Sequence, residues 1–159
     1  VPRTKLNPPL ESRERQSSTV IDTVVLHATV EPSIEGTLEV LRQRELSYHF
    51  LIDQNGDVLE CVDPRFVAYH AGKSFGPQGD GVNEYSIGIS FVNRNDGVDP
   101  FTDAQHEAIR TLLVALLKDF PSVRYLTTHA IISPNRKDDP LGFPVADLAK
   151  FAEMELWAD

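Results

Sequence analysis

The sequence predicts an α/β (α+β) domain with a mixed central β-sheet flanked by helices. Short apolar, β-branched runs such as "VIDTVVLHAT" and "YSIGISFVN" read as buried strands. Segments with helical spacing of apolar residues lie between the strands, the clearest at 103–119. The resulting order, β α β β (loop) β α β (loop) α, joins strands through helices and so favours a layered sheet containing parallel pairs.

Residues 1–19, "VPRTKLNPPLESRERQSST", are polar, rich in Pro and Ser, and lack an apolar period; they are expected to be an arm laid over one domain spanning 20–159. The nearly continuous β-branched run ending near His27 suits a central strand buried on both faces. "SIEGTLEVLRQRE" puts Ile34, Leu38 and Leu41 on one helical face, with Ser33 as N-cap. "LSYHFLID" and "DVLECV" flank "QNG", a hairpin signal. Residues 64–83, around "AYHAGKS", hold many Gly, Pro, Asp and Asn residues and predict a long loop over the sheet. Gly88, inside the strand "YSIGISFVN", marks close approach by a neighbour or ligand. Thr102 and Gln105 fit a capping box ahead of the stripe Ile109, Leu112, Leu113, Leu116 and Leu117, and Pro121 stops that helix. "SVRYLTTH" is then a strand, and "VADLAKFAEMELW" a closing helix after Pro144.

Composition narrows the function classes. A chain of 159 residues is long enough for one domain with a real core. A net charge of −9 with scattered Lys and Arg argues against nucleic-acid binding, and no apolar run is long enough to span a bilayer. Cys61 is the single cysteine, so no intramolecular disulfide is available and the fold must rest on packing or a metal. The chain starts at Val1 without an initiator Met or an apolar signal segment, as a mature or trimmed form would. A monomer is expected.

His27 and His129 each end a strand, and if those strands are parallel neighbours both imidazoles emerge at one sheet edge. With Asp139 they would make a two-His, one-carboxylate metal set, the donor combination of a catalytic zinc. The structural alternative stays open on spacing alone: a strand-end His is commonly a hydrogen-bonded structural residue, and "RKDDP" also suits a solvated turn. Strand alternation would send His49 to the face opposite Tyr48, as a structural residue. His106, off the helical stripe, is expected in solvent, and Cys61 as a small buried hydrophobe.

"VVLHAT", "SYHFLIDQNGDV", "HAGKS", "SIGISF" and "THAIISPNRKDDP", in that order, resemble the zinc-dependent N-acetylmuramoyl-L-alanine amidases of the superfamily that includes the peptidoglycan recognition proteins. The resemblance covers roughly residues 20–145. It implies that superfamily's fold with Zn²⁺ in a surface groove, bound by His27, His129 and Asp139, the last chosen over Asp138 because it directly precedes Pro140. It implies that Lys137 stabilises the developing oxyanion and that Tyr48 hydrogen-bonds beside the metal, both as catalytic residues. His70, Gly72, Ser74 and Ser90 fall where substrate would bind, and His70 could also serve acid–base work. Ser90 departs from the cell-wall recycling amidases, which carry a glutamate general base there, so the proton-transfer group is not assigned.

The function so implied is zinc-dependent hydrolysis of the amide between N-acetylmuramic acid and L-alanine in peptidoglycan or muropeptides, a bacteriolytic or wall-degrading activity in the cell envelope or secreted. The alternatives are a non-catalytic muropeptide recognition module of the same fold and a zinc hydrolase of the same fold acting on another amide.

Overall fold

The computed structural model describes residues 3–158. Its strands are β1 (Arg3–Lys5), β2 (Ser12–Glu14), β3 (Thr23–Ala28), β4 (Phe50–Ile52), β5 (Val58–Glu60), β6 (Phe66–Ala68), β7 (Phe75–Gly76), β8 (Gly79–Asp80), β9 (Ser86–Phe91), β10 (Tyr125–Thr128) and β11 (Glu155–Leu156). The helices are α1 (Ile34–Arg44), α2 (Asp103–Asp119), the single turn α3 (His129–Ile132) and α4 (Val145–Ala152). Seven strands form one mixed sheet in the order β1-β5-β4-β9-β3-β10-β11. β4, β9, β3 and β10 run parallel, and β5 turns back antiparallel to β4 through the Asn-Gly hairpin.

Every residue of β3 and β9 is buried, which is why these strands read as near-continuous apolar runs. Alternation divides their side chains between two faces. Val24 and Leu26 of β3, with Ile87, Ile89 and Phe91 of β9, meet Ile109, Leu112, Leu113 and Leu116 of α2 and Leu148 of α4 in the larger core. Each such fully buried side chain is worth roughly 1.5–3 kcal/mol of hydrophobic stabilisation, so this face anchors the sheet. The other face carries Val25, His27, Gly88 and Ser90, in the register Val25–Gly88 and His27–Ser90. It is covered more thinly, by α1, α3 and the loops after β6.

The capping signals hold. Ser33 accepts from the Gly36 N–H at the start of α1, and Thr102 and Gln105 cap α2 reciprocally. Other expectations are corrected. The segment 64–83 is not uniform loop, because it contains β6 and the β7–β8 hairpin. The closing helix ends at Ala152, where Glu153 takes the left-handed conformation (φ 55°), and the chain re-enters the sheet as β11 beside β10. His129 opens a helical turn instead of closing a strand. His106 is half-buried, its ring stacked on Phe143 with centroids 5.5 Å apart. Cys61 is buried as expected, and burial pushes its thiol up to about 12.

Residues 3–19 of the expected arm are built into the domain, and the first two lie outside the described residues. β1 extends the main sheet by pairing parallel with β5, and β2 pairs antiparallel with β6. Arg13 forms an ion pair with Glu84. Arg15 threads its guanidinium beneath the sheet edge and donates to four carbonyls: Ser86 at 2.8 Å, Pro64 at 2.9 Å, Glu84 at 3.0 Å and Asn83 at 3.3 Å. One side chain thus ties the arm to both the β5–β6 connection and the start of β9. Arg15→Ala would strand those carbonyls and is expected to cost roughly 3 kcal/mol, read as a lower urea midpoint at unchanged m-value.

Candidate metal centre and groove

The site grows out of the pairing of β3 with β10. Leu26 lies in register with Thr128, so the next residues stand side by side: His27, still in β3 opposite Ser90, and His129, where β10 passes into α3. The Thr128 hydroxyl caps α3 by accepting from the Ile131 N–H, which turns the chain sharply and aims His129 inward. The loop after α3 then returns to the same edge. The Ala130 N–H donates to the Asp139 carbonyl (2.9 Å), and the Asp139 carboxylate accepts from the Ala28 N–H (3.2 Å).

His27, His129 and Asp139 consequently converge. Their ligand atoms lie within 4.8 Å of one another, and all three side chains are buried. The His27 and His129 Nδ1 atoms are 3.0 Å apart, and His129 Nδ1 is 3.1 Å from Asp139 Oδ1. The remaining imidazole nitrogens point outward to protein partners: His129 Nε2 to the Ala71 carbonyl (3.1 Å) and His27 Nε2 to His70 Nδ1 (2.9 Å). Two imidazole nitrogens and a carboxylate presenting lone pairs to one point is a donor set that fits a metal cation. Asp138 points elsewhere, accepting from Asn95 at the surface.

Electrostatics agree with that arrangement. Burial, then the neighbouring His129, lowers His27 to about 4. Burial alone would raise the Asp139 carboxyl, but the adjacent His129 and His27 rings outweigh it and hold the group well below the usual carboxylate range. Both ligands are therefore in their metal-binding protonation states at neutral pH.

A groove of about 380 Å³ opens over the cluster, lined by Tyr48, His70, Gly72, Arg136, Lys137 and the side of α1 up to Arg44, among others. The Tyr48 ring lies 4.9 Å from that of His27, and burial followed by the Asp139 charge raises its phenol above the ordinary value. Lys137 is exposed at the rim. Val30, next along the wall from the β3 ligand, holds a left-handed backbone (φ 66°), a conformation that costs a β-branched residue roughly 1–3 kcal/mol and that clusters at functional sites.

Several expected site residues sit differently from the sequence reading. His70 is only 7% exposed and has both nitrogens occupied, by His27 and by Ser86 Oγ at 3.1 Å, so it stands behind His27 instead of offering a free imidazole to the groove. The Ser74 hydroxyl donates to the Gly72 carbonyl and accepts from the Val82 N–H, which makes it a loop brace. Ser90 is fully buried in β9 beside the Tyr48 phenol, and its Oγ makes no well-formed hydrogen bond among the described residues. Gly72 does permit a close approach, but by Arg136, whose guanidinium would lie 2.9 Å from a Cβ there. His49 lies on the His70 side of the sheet, the ring centroids 5.9 Å apart, and serves as the structural residue expected: its Nδ1 accepts from the Gly88 N–H (2.9 Å) and its Nε2 faces the Phe66 carbonyl (2.8 Å). Sequence reasoning missed Arg136 and Arg44 as groove cations; the adjacent "NRK" was the available signal for the first.

The model of the family described as N-acetylmuramoyl-L-alanine amidase matches residues 16–142. The chain belongs to this amidase family. The 1,6-anhydro-N-acetylmuramyl-L-alanine amidase AmpD of Haemophilus influenzae is 33% identical over 113 residues, covering 70% of this chain and 60% of that protein. A crystal structure of a selenomethionine AmpD derivative superposes with a TM-score of 0.77 at 23% identity, over 94% of this chain and 93% of that one, which establishes the fold. The amidase AmiD of Escherichia coli, in complex with anhydro-N-acetylmuramic acid-L-Ala-D-gamma-Glu-L-Lys, gives 0.73 at 29% identity over 92% of this chain and 63% of that one. The chain spans 60–66% of the length of the AmpD relatives it matches. Among the described residues, no helix is long and apolar enough to cross a membrane.

Two outcomes are expected. Asp139→Ala should lose bound metal, measured as metal content after gel filtration, and full retention would remove Asp139 from the ligand set. Acid should destabilise the metal-free protein from about pH 6.5 downward. Burial, the dominant cause, lowers His49 to about 3, so the unfolded chain binds a proton there that the folded chain refuses. Stability is complete above pH 6.5 and falls through the window to about 3, by about 1.4 kcal/mol per pH unit for each such histidine. Urea midpoints across pH 7 to 4 would measure the slope, and His49→Gln should make it shallower.

Proposed function

We propose that the chain is a zinc-dependent amidase that cleaves the bond between the lactyl group of N-acetylmuramic acid and L-alanine of the stem peptide, in peptidoglycan or in muropeptides. The observation that carries this reading is the convergence of His27, His129 and Asp139 beneath a cation-rimmed groove, in a chain of the amidase family. A zinc ion bound by those side chains supplies Lewis acidity and a water of near-neutral pKa.

The chain's own residues do the remainder. Lys137, whose ammonium stands at the rim two residues before the Asp139 ligand, stabilises the negative charge that grows on the carbonyl oxygen as the carbon turns tetrahedral. Tyr48, close to His27 and kept protonated by burial, donates a hydrogen bond to the same developing charge. The excess of cations around the groove, Arg44, Arg136 and Lys137 against Glu31 and the metal ligand Asp139, favours an anionic ligand such as a stem peptide bearing free carboxylates, although the chain as a whole carries −9.

One observation favours a second reading, a muropeptide recognition module without turnover. The position where recycling amidases have a glutamate is filled by Ser90, a buried hydroxyl that offers no carboxylate to the site. Digestion of purified peptidoglycan by native, chelator-stripped and zinc-restored protein separates the two. Zinc-dependent release of peptides with free N-terminal alanine, read by mass spectrometry, is the expected result. Zinc binding and muropeptide binding without such peptides would hand the site to the recognition reading. Lys137→Ala should keep its zinc and lose about 10²–10³-fold in turnover, and unchanged turnover would reduce Lys137 to a loop cation.

A further inference from the structure

We propose that His70 is a positioning residue for the metal centre: it fixes the tautomer and orientation of the ligand His27, and the segment His70–Ala71 serves as a common outer support for both ligating imidazoles. This rests on the reading of His27, His129 and Asp139 as metal ligands.

The His129 tautomer follows from the hydrogen-bond network, and those of His27 and His70 follow once His27 Nδ1 is read as a ligand atom. His129 Nε2 faces the Ala71 carbonyl, an acceptor only, so Nε2 carries the proton and Nδ1 presents its lone pair toward Asp139 and His27. His27 turns its own Nδ1 to the same point, which places its proton on Nε2, donating to His70 Nδ1 at 2.9 Å. His70 must then carry its proton on Nε2, and Ser86 Oγ receives it at 3.1 Å. Ligating imidazoles are ordinarily held from behind in this way by a carboxylate, a carbonyl or a water. Here one is held by a carbonyl and the other by a second, neutral imidazole.

The support is itself anchored. The backbone N–H groups of His70 and Ala71 both donate to Asn83 Oδ1, at 3.1 and 2.8 Å. The Ala71 carbonyl also accepts from Arg136 at 2.7 Å, and the Ser86 carbonyl accepts from Arg15 at 2.8 Å. Space for the His70 ring exists because residue 88 is glycine. A Cβ at that position would stand 2.5–2.7 Å from three of the ring atoms. The close neighbour of Gly88 is therefore His70, and His70 is the element that joins β9 to the ligand on β3.

The test is zinc affinity measured by competition with a chromophoric chelator, together with KM and kcat for a muropeptide at saturating zinc. His70→Phe keeps a ring but offers no acceptor and should weaken zinc binding by about 10–100-fold with KM unchanged. His70→Asn, whose Oδ1 falls near the native Nδ1 position, should recover most of that loss. If His70→Phe does not fold, Ser86→Ala supplies the milder perturbation, with an expected weakening of about 2–5-fold. Zinc affinity equal to wild type in the folded variants would overturn the proposal, and a raised KM at native affinity would return His70 to the substrate wall. Absence of zinc binding in the wild-type protein would instead overturn the metal reading itself, a result distinct from a variant that binds as well as its parent.

Discussion

The parallel pairing of β3 with β10 is the constraint on which the site depends. Register is discrete, and a slip of one residue would carry His27 to the face occupied by Val24 and Leu26. What holds the register is the core on the opposite face, where α2 and α4 clamp the two strands along with β9. The binding chemistry on one side of the sheet is thus positioned by hydrophobic packing on the other.

Around that pair, the polar side of the sheet is assembled from segments that make few hydrophobic contacts of their own. The loop carrying His70 and Ala71 is held by Asn83, by Arg136 and by the Ser86 hydroxyl, and the Ser86 end is fixed in turn by Arg15 from the first strand-forming segment. Hydrogen bonds are directional where apolar contacts are not, so such a network can set the angle of an imidazole as well as its place. Burial of several neutral histidines beside one carboxylate is what gives the cluster lone pairs to offer at neutral pH, and it is also what makes the metal-free fold sensitive to acid.

The groove separates two kinds of cation. Arg136 is spent on structure, donating to Ala71, Lys73 and Ser133 and closing over Gly72, whereas Lys137 beside it stays exposed at the rim. This division suits their chemistry. A planar guanidinium can bridge several carbonyls at once, while an ammonium on a flexible stem can follow a charge that develops at one atom.

The sequence by itself determined the elements whose cause is local: the buried runs at β3 and β9, the capping box and apolar stripe of α2, and the Asn-Gly hairpin. The family resemblance singled out Asp139 from Asp138 by its place directly before Pro140, a choice that the structure matches by burying one and exposing the other. Tertiary structure alone decided the remainder, because the deciding contacts link residues far apart in the chain. Arg15 reaches Ser86, and the arm becomes sheet only where β5 and β6 offer it edges. His70, Ser74 and Ser90 carry polar groups that suit a substrate wall when read singly, yet His70 and Ser74 are already engaged by other partners and Ser90 is fully buried in β9. A residue type announces which hydrogen bonds it can make, but only the packed chain determines which of them are already taken.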